Sequence, residues 1–123
     1  MILLTSAGGK TGRAMISTFA AAGEKVRAVM RRDDVDAELI ALGATEVVHA
    51  NLMDAAAIAA AATGCRAIYY ICPNMTEQEQ TLGENIIAAA KAADVGRLVF
   101  HSVLHTQVQA LRHHWNRLFV EEA

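Results

Sequence analysis

The regular alternation of strand-like and helix-like segments restricts the fold of this sequence more than any other feature. Five short runs rich in Val, Ile, Leu, Tyr or Phe are separated by helical stretches. Their nearly continuous apolar character is typical of strands that are buried on both faces of a parallel sheet. The runs are Met1–Thr5, Lys25–Met30, Thr45–His49, Ala67–Cys72 and Arg97–Ser102. The alternation therefore predicts an α/β fold with right-handed crossovers and helices on both faces of the sheet.

Capping residues mark the ends of the intervening helices. Aspartates are favourable at helix N-caps, and glycines end helices. The five helices are predicted from Lys10 to Ala22, after Asp33 and Asp34 to before Gly43, after Asp54 to Thr63 and Gly64, from Thr76 to before Gly96, and from Gln107 to the end. Thr76 and Glu79 have the spacing of a capping box. The last helix carries an apolar stripe of Val108, Leu111, Trp115, Leu118 and Phe119.

Composition excludes several classes of protein. The 123 residues are enough for one domain, and 54% apolar with 20% charged residues exclude a disordered chain. The apolar runs are too short to cross a bilayer, and the opening residues lack the basic region of a signal peptide. A net charge of −2 provides no strongly basic surface for nucleic acid. We expect a cytoplasmic protein that binds neither membrane nor nucleic acid directly.

The cysteines and histidines do not indicate a metal or redox centre. Cys65 and Cys72 are predicted to be small buried hydrophobic residues rather than a disulfide or a redox pair. Four histidines lie near one another in sequence, at His101, His105, His113 and His114. Their spacing does not match a standard zinc site, so we predict no metal site.

The first strand-to-helix turn carries the most information about function. Its pattern is Ser6-x-x-Gly9-x-x-Gly12 with an additional Gly8. Glycines here let the backbone turn sharply and approach a pyrophosphate, and the helix N-terminus then offers free N–H groups and the positive end of its dipole. Serine replaces the first glycine of the full pattern; it takes a positive φ less readily, although its hydroxyl can meet a phosphate. We predict a dinucleotide site, the alternative being an ordinary tight turn.

A P-loop is the other phosphate motif to consider at Gly9-Lys10-Thr11. The motif requires a further glycine at a fixed distance before the lysine. Leu4 occupies that position, inside the first strand. We therefore reject a P-loop.

The end of the second strand indicates which cofactor is bound. An acidic residue there holds a ribose 2′-hydroxyl, whereas arginine accommodates a 2′-phosphate. Arg31 and Arg32 follow the strand directly, and the planar guanidinium suits phosphate. NADP is therefore predicted over NAD. The alternative is that both arginines are solvated while Asp33 and Asp34 merely cap the second helix.

Taken together, these segments make the chain resemble the NmrA-like family of atypical short-chain dehydrogenase/reductases. The resemblance extends over essentially the whole chain and is carried by TSAGGKTGRA at 5–14, VRAVMRR at 26–32, ANLMD at 50–54, AIYYICP at 67–73, GENIIAAAKAADVGRLVFHSVLH at 83–105 and HHWNRLFVEEA at 113–123. It implies that residues 1–123 form a Rossmann-like NAD(P)-binding domain, a doubly wound parallel sheet with strand order 3-2-1-4-5. Family members are usually much longer, so we expect the C-terminal part of the family fold, which shapes the substrate pocket, to be absent. The fifth strand would then be an open edge through which the chain can self-associate.

The resemblance also assigns cofactor-binding positions. Residues matched to the phosphates are Ser6, Gly8, Gly9, Lys10, Thr11 and Gly12. Arg31 matches the 2′-phosphate position, with Arg32 as a second candidate. Asn51 and Leu52 match the loop beside the adenine, and Ile71, Cys72 and Pro73 match the approach to the nicotinamide.

The catalytic positions depart from the family pattern. Typical short-chain reductases use a Ser or Thr after the fifth strand and a Y-x-x-x-K helix; the resemblance places Ser102, His113 and Arg117 at these three positions. His113 can act as an acid near neutral pH, but Arg117 cannot shuttle a proton. The alternative is that His113 and Arg117 lie on a polar outer helix face.

Two functions follow from the resemblance. The first is the NADP-binding domain of an NAD(P)H-dependent oxidoreductase that acts on a quinone or another small carbonyl compound. The second is a non-catalytic NAD(P)-binding redox sensor that regulates a transcription factor or another protein partner, which the loss of the tyrosine and lysine favours. A degenerate domain that binds nothing is a third possibility.

Overall fold

The predicted doubly wound sheet is present. The computed structural model describes residues 1–74, 76–104 and 106–123. All strand pairs are parallel, and the order β3-β2-β1-β4-β5 confirms the Rossmann-like prediction. The strands are β1 Ile2–Leu4, β2 Val26–Met30, β3 Glu46–His49, β4 Ala67–Ile71 and β5 Arg97–His101. Each lies within its predicted range and is at most one residue shorter at either end.

The helices follow the predicted order. They are α1 Lys10–Ala21, α2 Asp36–Leu42, α3 Ala55–Ala62, α4 Glu79–Ala92 and α5 Arg112–Glu122. Helices α1 and α3 start as predicted, and α2, α4 and α5 start later. The predicted cap of α3 is confirmed, since the carboxylate of Asp54 accepts a hydrogen bond from the amide of Ala57 at 3.0 Å. The cap of α2 is Val35 rather than Asp33 or Asp34.

Two predicted starts are wrong for local reasons. The hydroxyl of Thr76 accepts a hydrogen bond from the amide of Gln78 at 3.2 Å. This closes a turn ahead of α4, so Thr76 and Glu79 form no capping box. Because α5 begins only at Arg112, Val108 and Leu111 precede the helix and do not continue its apolar stripe.

Side chains alternate across the sheet into two cores. On the α3 and α4 face, Leu3, Ile68 and Tyr70 are buried. The α1 and α2 face contains Leu4, Ile16, Val26, Ala28 and Leu39. Helix α5 adds Val120 to the first core. Cys65 and Cys72 are both buried free thiols, as predicted.

The β5 strand forms one edge of the sheet. Val99 in this strand is 38% exposed, whereas most central-strand residues are buried. Self-association through this edge stays a prediction. In the described part of the chain, no helix has the combination of length and apolarity that a membrane crossing needs.

Helix α1 starts in direct contact with the turn that precedes it. A Cβ on Gly12 would lie 2.4 Å from the carbonyl oxygen of Ser6 and 2.6 Å from the Cα of Ala7. Both are backbone atoms, which cannot move aside as the end of a flexible side chain can. A side chain at Gly12 is therefore incompatible with the position of α1 against β1.

We expect Gly12→Ala to lower the free energy of unfolding by about 2 kcal/mol or more, because the added methyl overpacks the backbone. Gly9→Ala is the matched control, since a Cβ there has its nearest contact at 3.5 Å and φ is −76°. That change should cost no more than about 1 kcal/mol. Urea unfolding of both variants tests this, and equal losses would contradict it.

Candidate functional site

A cleft of about 580 Å³ opens at the carboxyl ends of the strands. It spans the point between β1 and β4 where the strand order reverses, which is where open α/β sheets bind ligands. The cleft brings together all of the positions that the sequence matched to a cofactor: Ser6, Gly8, Gly9, Lys10, Thr11, Gly12, Arg31, Arg32, Asn51, Leu52, Ile71, Cys72 and Pro73. Their roles toward a ligand remain predictions.

Two hydroxyls fix the start of the glycine-rich turn. Thr5 Oγ1 donates to the carbonyl of Ile71 at 2.9 Å and accepts from the Ile71 amide at 2.8 Å. Ser6 Oγ donates to the same carbonyl at 2.9 Å. The Ser6 hydroxyl proton is thus used within the protein and is not directed at a phosphate.

Ser6 adopts the backbone conformation that the missing glycine would have taken. Its φ is +48°, in the left-handed region where residues other than glycine are strained. The hydrogen bonds to Ile71 compensate for this strain. Sequence analysis missed Thr5, because its role becomes visible only when β4 is placed beside β1.

The N-terminus of α1 faces the cleft without a competing acceptor. Its N-cap is Gly9, no side chain in the described residues caps it, and its first turn contains no acidic residue. The amides of Lys10, Thr11 and Gly12 have no acceptor inside the helix, because the first turn lacks preceding carbonyls. Together with the positive end of the helix dipole, these amides are suited to an anionic ligand.

Arg13 supports the turn from outside the cleft. Its Nε donates to the carbonyl of Gly8 at 2.9 Å, and its Nη1 forms an ion pair with Glu38 of α2 at 2.7 Å. The pair connects the glycine-rich turn to the element that follows Arg31 and Arg32. Sequence analysis also missed this contact, since nothing in the local pattern relates Arg13 to Glu38.

The two arginines after β2 differ in their partners. Arg32 forms an ion pair with Asp34 at 3.4 Å, and its side chain is 74% exposed. Arg31 is exposed and has no carboxylate partner among the described residues. Arg31 is therefore the cation at this side of the cleft that is available to an anionic ligand.

The loop after β3, which neighbours the end of β2 and Arg31, is held by amide side chains. Asn51 Oδ1 accepts from the amide of Met53 at 3.0 Å and so shapes the loop between β3 and α3. Asn85, on α4, donates to the carbonyl of Leu52 at 3.0 Å. The loop that was matched to the adenine is thereby fixed to the helix layer.

At the other end of the cleft, Cys72 contributes a neutral wall. Burial raises the pKa of its thiol to about 11, and the residue is 2% exposed. A thiol with such a pKa stays protonated at neutral pH and is a poor nucleophile. Its contribution to the cleft is shape rather than covalent chemistry.

None of the three predicted catalytic residues lines the cleft. Ser102 Oγ donates to a carboxylate oxygen of Glu121. Arg117 is paired with Glu79 at 3.1 Å, and His113 is half-buried with no partner for its Nδ1 among the described residues. Their catalytic roles remain predictions.

The histidines have separate partners. His101 Nδ1 lies 2.9 Å from the Tyr69 hydroxyl, and His114 Nδ1 lies 2.7 Å from the carbonyl of Leu104. His105 lies outside the described residues. Within the described ranges, no three His, Cys, Asp or Glu side chains group around a possible metal position.

The cleft matches the chemistry of a phosphorylated dinucleotide. Its volume lies in the usual range for ligand sites, roughly 300–1,000 Å³. The α1 amides suit a pyrophosphate, Arg31 suits a further phosphate, and apolar residues line both ends.

Comparison with solved structures supports the fold assignment. The NADPH-dependent quinone oxidoreductase from Escherichia coli, complexed with NADPH, is 27% identical with a TM-score of 0.85; the match covers 99% of this chain and 44% of that one. A Citrobacter triphenylmethane reductase complexed with NADP(H) has 17% identity and a TM-score of 0.84, covering 99% and 44%. A nucleoside-diphosphate-sugar epimerase from Pseudomonas aeruginosa has 19% identity and a TM-score of 0.74, covering 85% and 34%. At such low identities the last two show the fold alone.

The chain spans less than half of the length of each of these three proteins. No curated protein sequence matches it. The family described as NAD(P)H-binding, however, matches residues 6–123, which include the whole cleft. A Rossmann-like sheet, a glycine-rich turn at its switch point and this match lead to one conclusion: the chain belongs to the NAD(P)H-binding family.

Proposed function

We propose that the chain is the NADP(H)-binding domain of an NmrA-like oxidoreductase that reduces a quinone or another small carbonyl compound. The observation that carries the choice of NADP is Arg31, an exposed cation at the cleft with no carboxylate partner in the described residues. A 2′-phosphate is the group that distinguishes NADP from NAD, and a guanidinium binds it through charge-assisted hydrogen bonds.

The chain's own residues have positioning roles in this proposal. The amides at the start of α1 bind the pyrophosphate, and Asn51 and Leu52 border the adenine. Ile71, Cys72 and Pro73 keep water from one side of the nicotinamide. The cofactor, when bound, supplies hydride transfer; the protein supplies orientation and electrostatics.

The choice of substrate class draws on one relative. The quinone oxidoreductase from Escherichia coli is 27% identical to this chain, and the match covers 99% of this chain. Because the match covers 44% of that enzyme, the comparison bears on the cofactor-binding part more directly than on the acceptor site. A quinone substrate is therefore proposed from the similarity to this enzyme and from the resemblance of the chain to the NmrA-like family.

The cofactor proposal predicts tighter binding of NADPH than of NADH in calorimetric titrations. Arg31→Ala should raise the Kd for NADPH by roughly 10- to 100-fold, because a charge-assisted hydrogen bond to phosphate is lost. The Kd for NADH should not change. Arg97→Ala is the matched control, since this exposed arginine lies at the amino end of β5, opposite the cleft.

Arg32→Ala should have a smaller effect than Arg31→Ala, because Arg32 already pairs with Asp34. An unchanged NADPH/NADH affinity ratio in Arg31→Ala would show that the 2′-phosphate assignment is wrong. If neither nucleotide bound the wild-type chain, the proposed function itself would be wrong.

The oxidoreductase proposal predicts that this domain, joined to the C-terminal part of the family fold, accelerates the oxidation of NADPH by a para-quinone, which is measured as the loss of nicotinamide absorbance. If His113 donates the proton, His113→Ala should lower the rate by roughly 100-fold. His114→Ala is the control, because its ring is held by the carbonyl of Leu104. Equal rates in both variants would remove His113 from the mechanism. Binding of NADPH without turnover in a protein that also carries the C-terminal part of the family fold would contradict an oxidoreductase and support a redox sensor.

A further inference from the structure

A buried ion pair joins α4 to α5 behind the nicotinamide end of the cleft. Glu79, the first residue of α4, is 1% exposed, and Arg117 on α5 is 8% exposed. Arg117 Nε donates to Glu79 Oε1 at 3.1 Å. Arg117 Nη1 also donates to the carbonyl of His101, the last residue of β5, at 3.3 Å. One guanidinium therefore ties two helices to the end of an edge strand.

Holding two helices together through a buried ion pair carries a large desolvation cost. Removing both charges from water costs several kcal/mol, and apolar residues of similar volume are often at least as stabilising. The second carboxylate oxygen, Glu79 Oε2, is buried without a partner in the described residues, which adds to the cost. Stability alone is thus a weak account of this pair.

The ion pair is close to the wall of the cleft. Cys72 lines the cleft and lies close enough to the pair for both charges to act on its thiol. Burial is the main cause of the raised pKa of this thiol; Glu79 raises the pKa as well, and Arg117 opposes the rise. Glu79 also directly follows the segment between β4 and α4. From that segment, Pro73, Thr76 and Gln78 line the cleft.

The cleft segment is therefore anchored at both ends. At its start, Ile71 is held by Thr5 and Ser6. At its end, Glu79 is held by Arg117. A shift of Glu79 would act first on the cleft wall that was matched to the nicotinamide. The loop matched to the adenine is held by Asn85, further along α4, and Arg31 follows β2.

We infer that the Glu79–Arg117 pair positions the nicotinamide half of the cofactor by fixing residues 72–74 and 76–78 of the cleft wall, and that it leaves binding of the adenine half unaffected. This inference rests on the proposed function. Both residues act through the cleft wall and touch no cofactor atom, so they are positioning residues. Arg117 thus has a different role from the lysine position to which the sequence matched it.

The test compares two probes, NADPH and 2′,5′-ADP, which has the adenine and 2′-phosphate but no nicotinamide. The variant is the double change Glu79→Leu with Arg117→Met, which removes both charges and leaves none buried alone. We expect it to unfold at a temperature close to that of the wild type. Its Kd for NADPH should rise roughly ten-fold, and its Kd for 2′,5′-ADP should stay unchanged.

The matched control is Glu46→Gln, which breaks the Arg27–Glu46 ion pair (2.6 Å) near the amino ends of the strands. It should leave both dissociation constants unchanged. Arg117→Lys is a second variant, which keeps the charge but not the forked contact to Glu79 and His101. It should weaken NADPH binding less than the double change, again without affecting 2′,5′-ADP.

Unchanged NADPH binding in the folded double variant, or equal weakening of both probes, would overturn the inference. If the double variant does not fold, Arg117→Lys decides by the same comparison. A wild-type chain that binds neither probe would overturn the proposed function first. If the wild-type chain binds both NADPH and 2′,5′-ADP, but the variants do not change the two Kd values differently, only the inference is overturned.

Discussion

The carbonyl of Ile71 is the point on which the geometry of the cleft depends. It accepts hydrogen bonds from the hydroxyls of Thr5 and Ser6, and so joins the ends of the two central strands. This clamp holds Ser6 at a positive φ, which starts the turn, and Gly12 then lets α1 pack against the turn. The N-terminal amides of α1 face the cleft only because these backbone contacts fix the helix there.

Charge is distributed unevenly around the cleft. Arg13 and Arg32 both have carboxylate partners, Glu38 and Asp34, and their charges are largely compensated. Arg31 lacks such a partner among the described residues and adds its charge to the dipole of α1. Arg31 and the start of α1 thus both present positive charge to the cleft where the cofactor phosphates are proposed to bind, although the chain as a whole carries a net charge of −2.

The C-terminal helix carries two of the residues that the sequence matched to catalytic positions. His113 and Arg117 are both on α5, on the spacing of a catalytic helix. The guanidinium of Arg117 forms an ion pair with Glu79, a residue that the sequence predicted to be part of a capping box. The sequence around Glu79 does not indicate Arg117 as its partner, nor the reverse, because the two residues are far apart in sequence and meet only when α5 packs on α4.

The sequence by itself determined the class of fold and the residues at the carboxyl edge of the sheet, and the strand order was implied by the resemblance to the NmrA-like family. It could do so because apolar runs, glycines and charged residues at strand ends are local patterns with direct physical meaning. Only the tertiary structure decided which polar groups are free and which are paired. Thr5, Arg13 and Glu79 acquire their roles from partners on other elements, and packing brings those partners into contact where no local pattern indicates them.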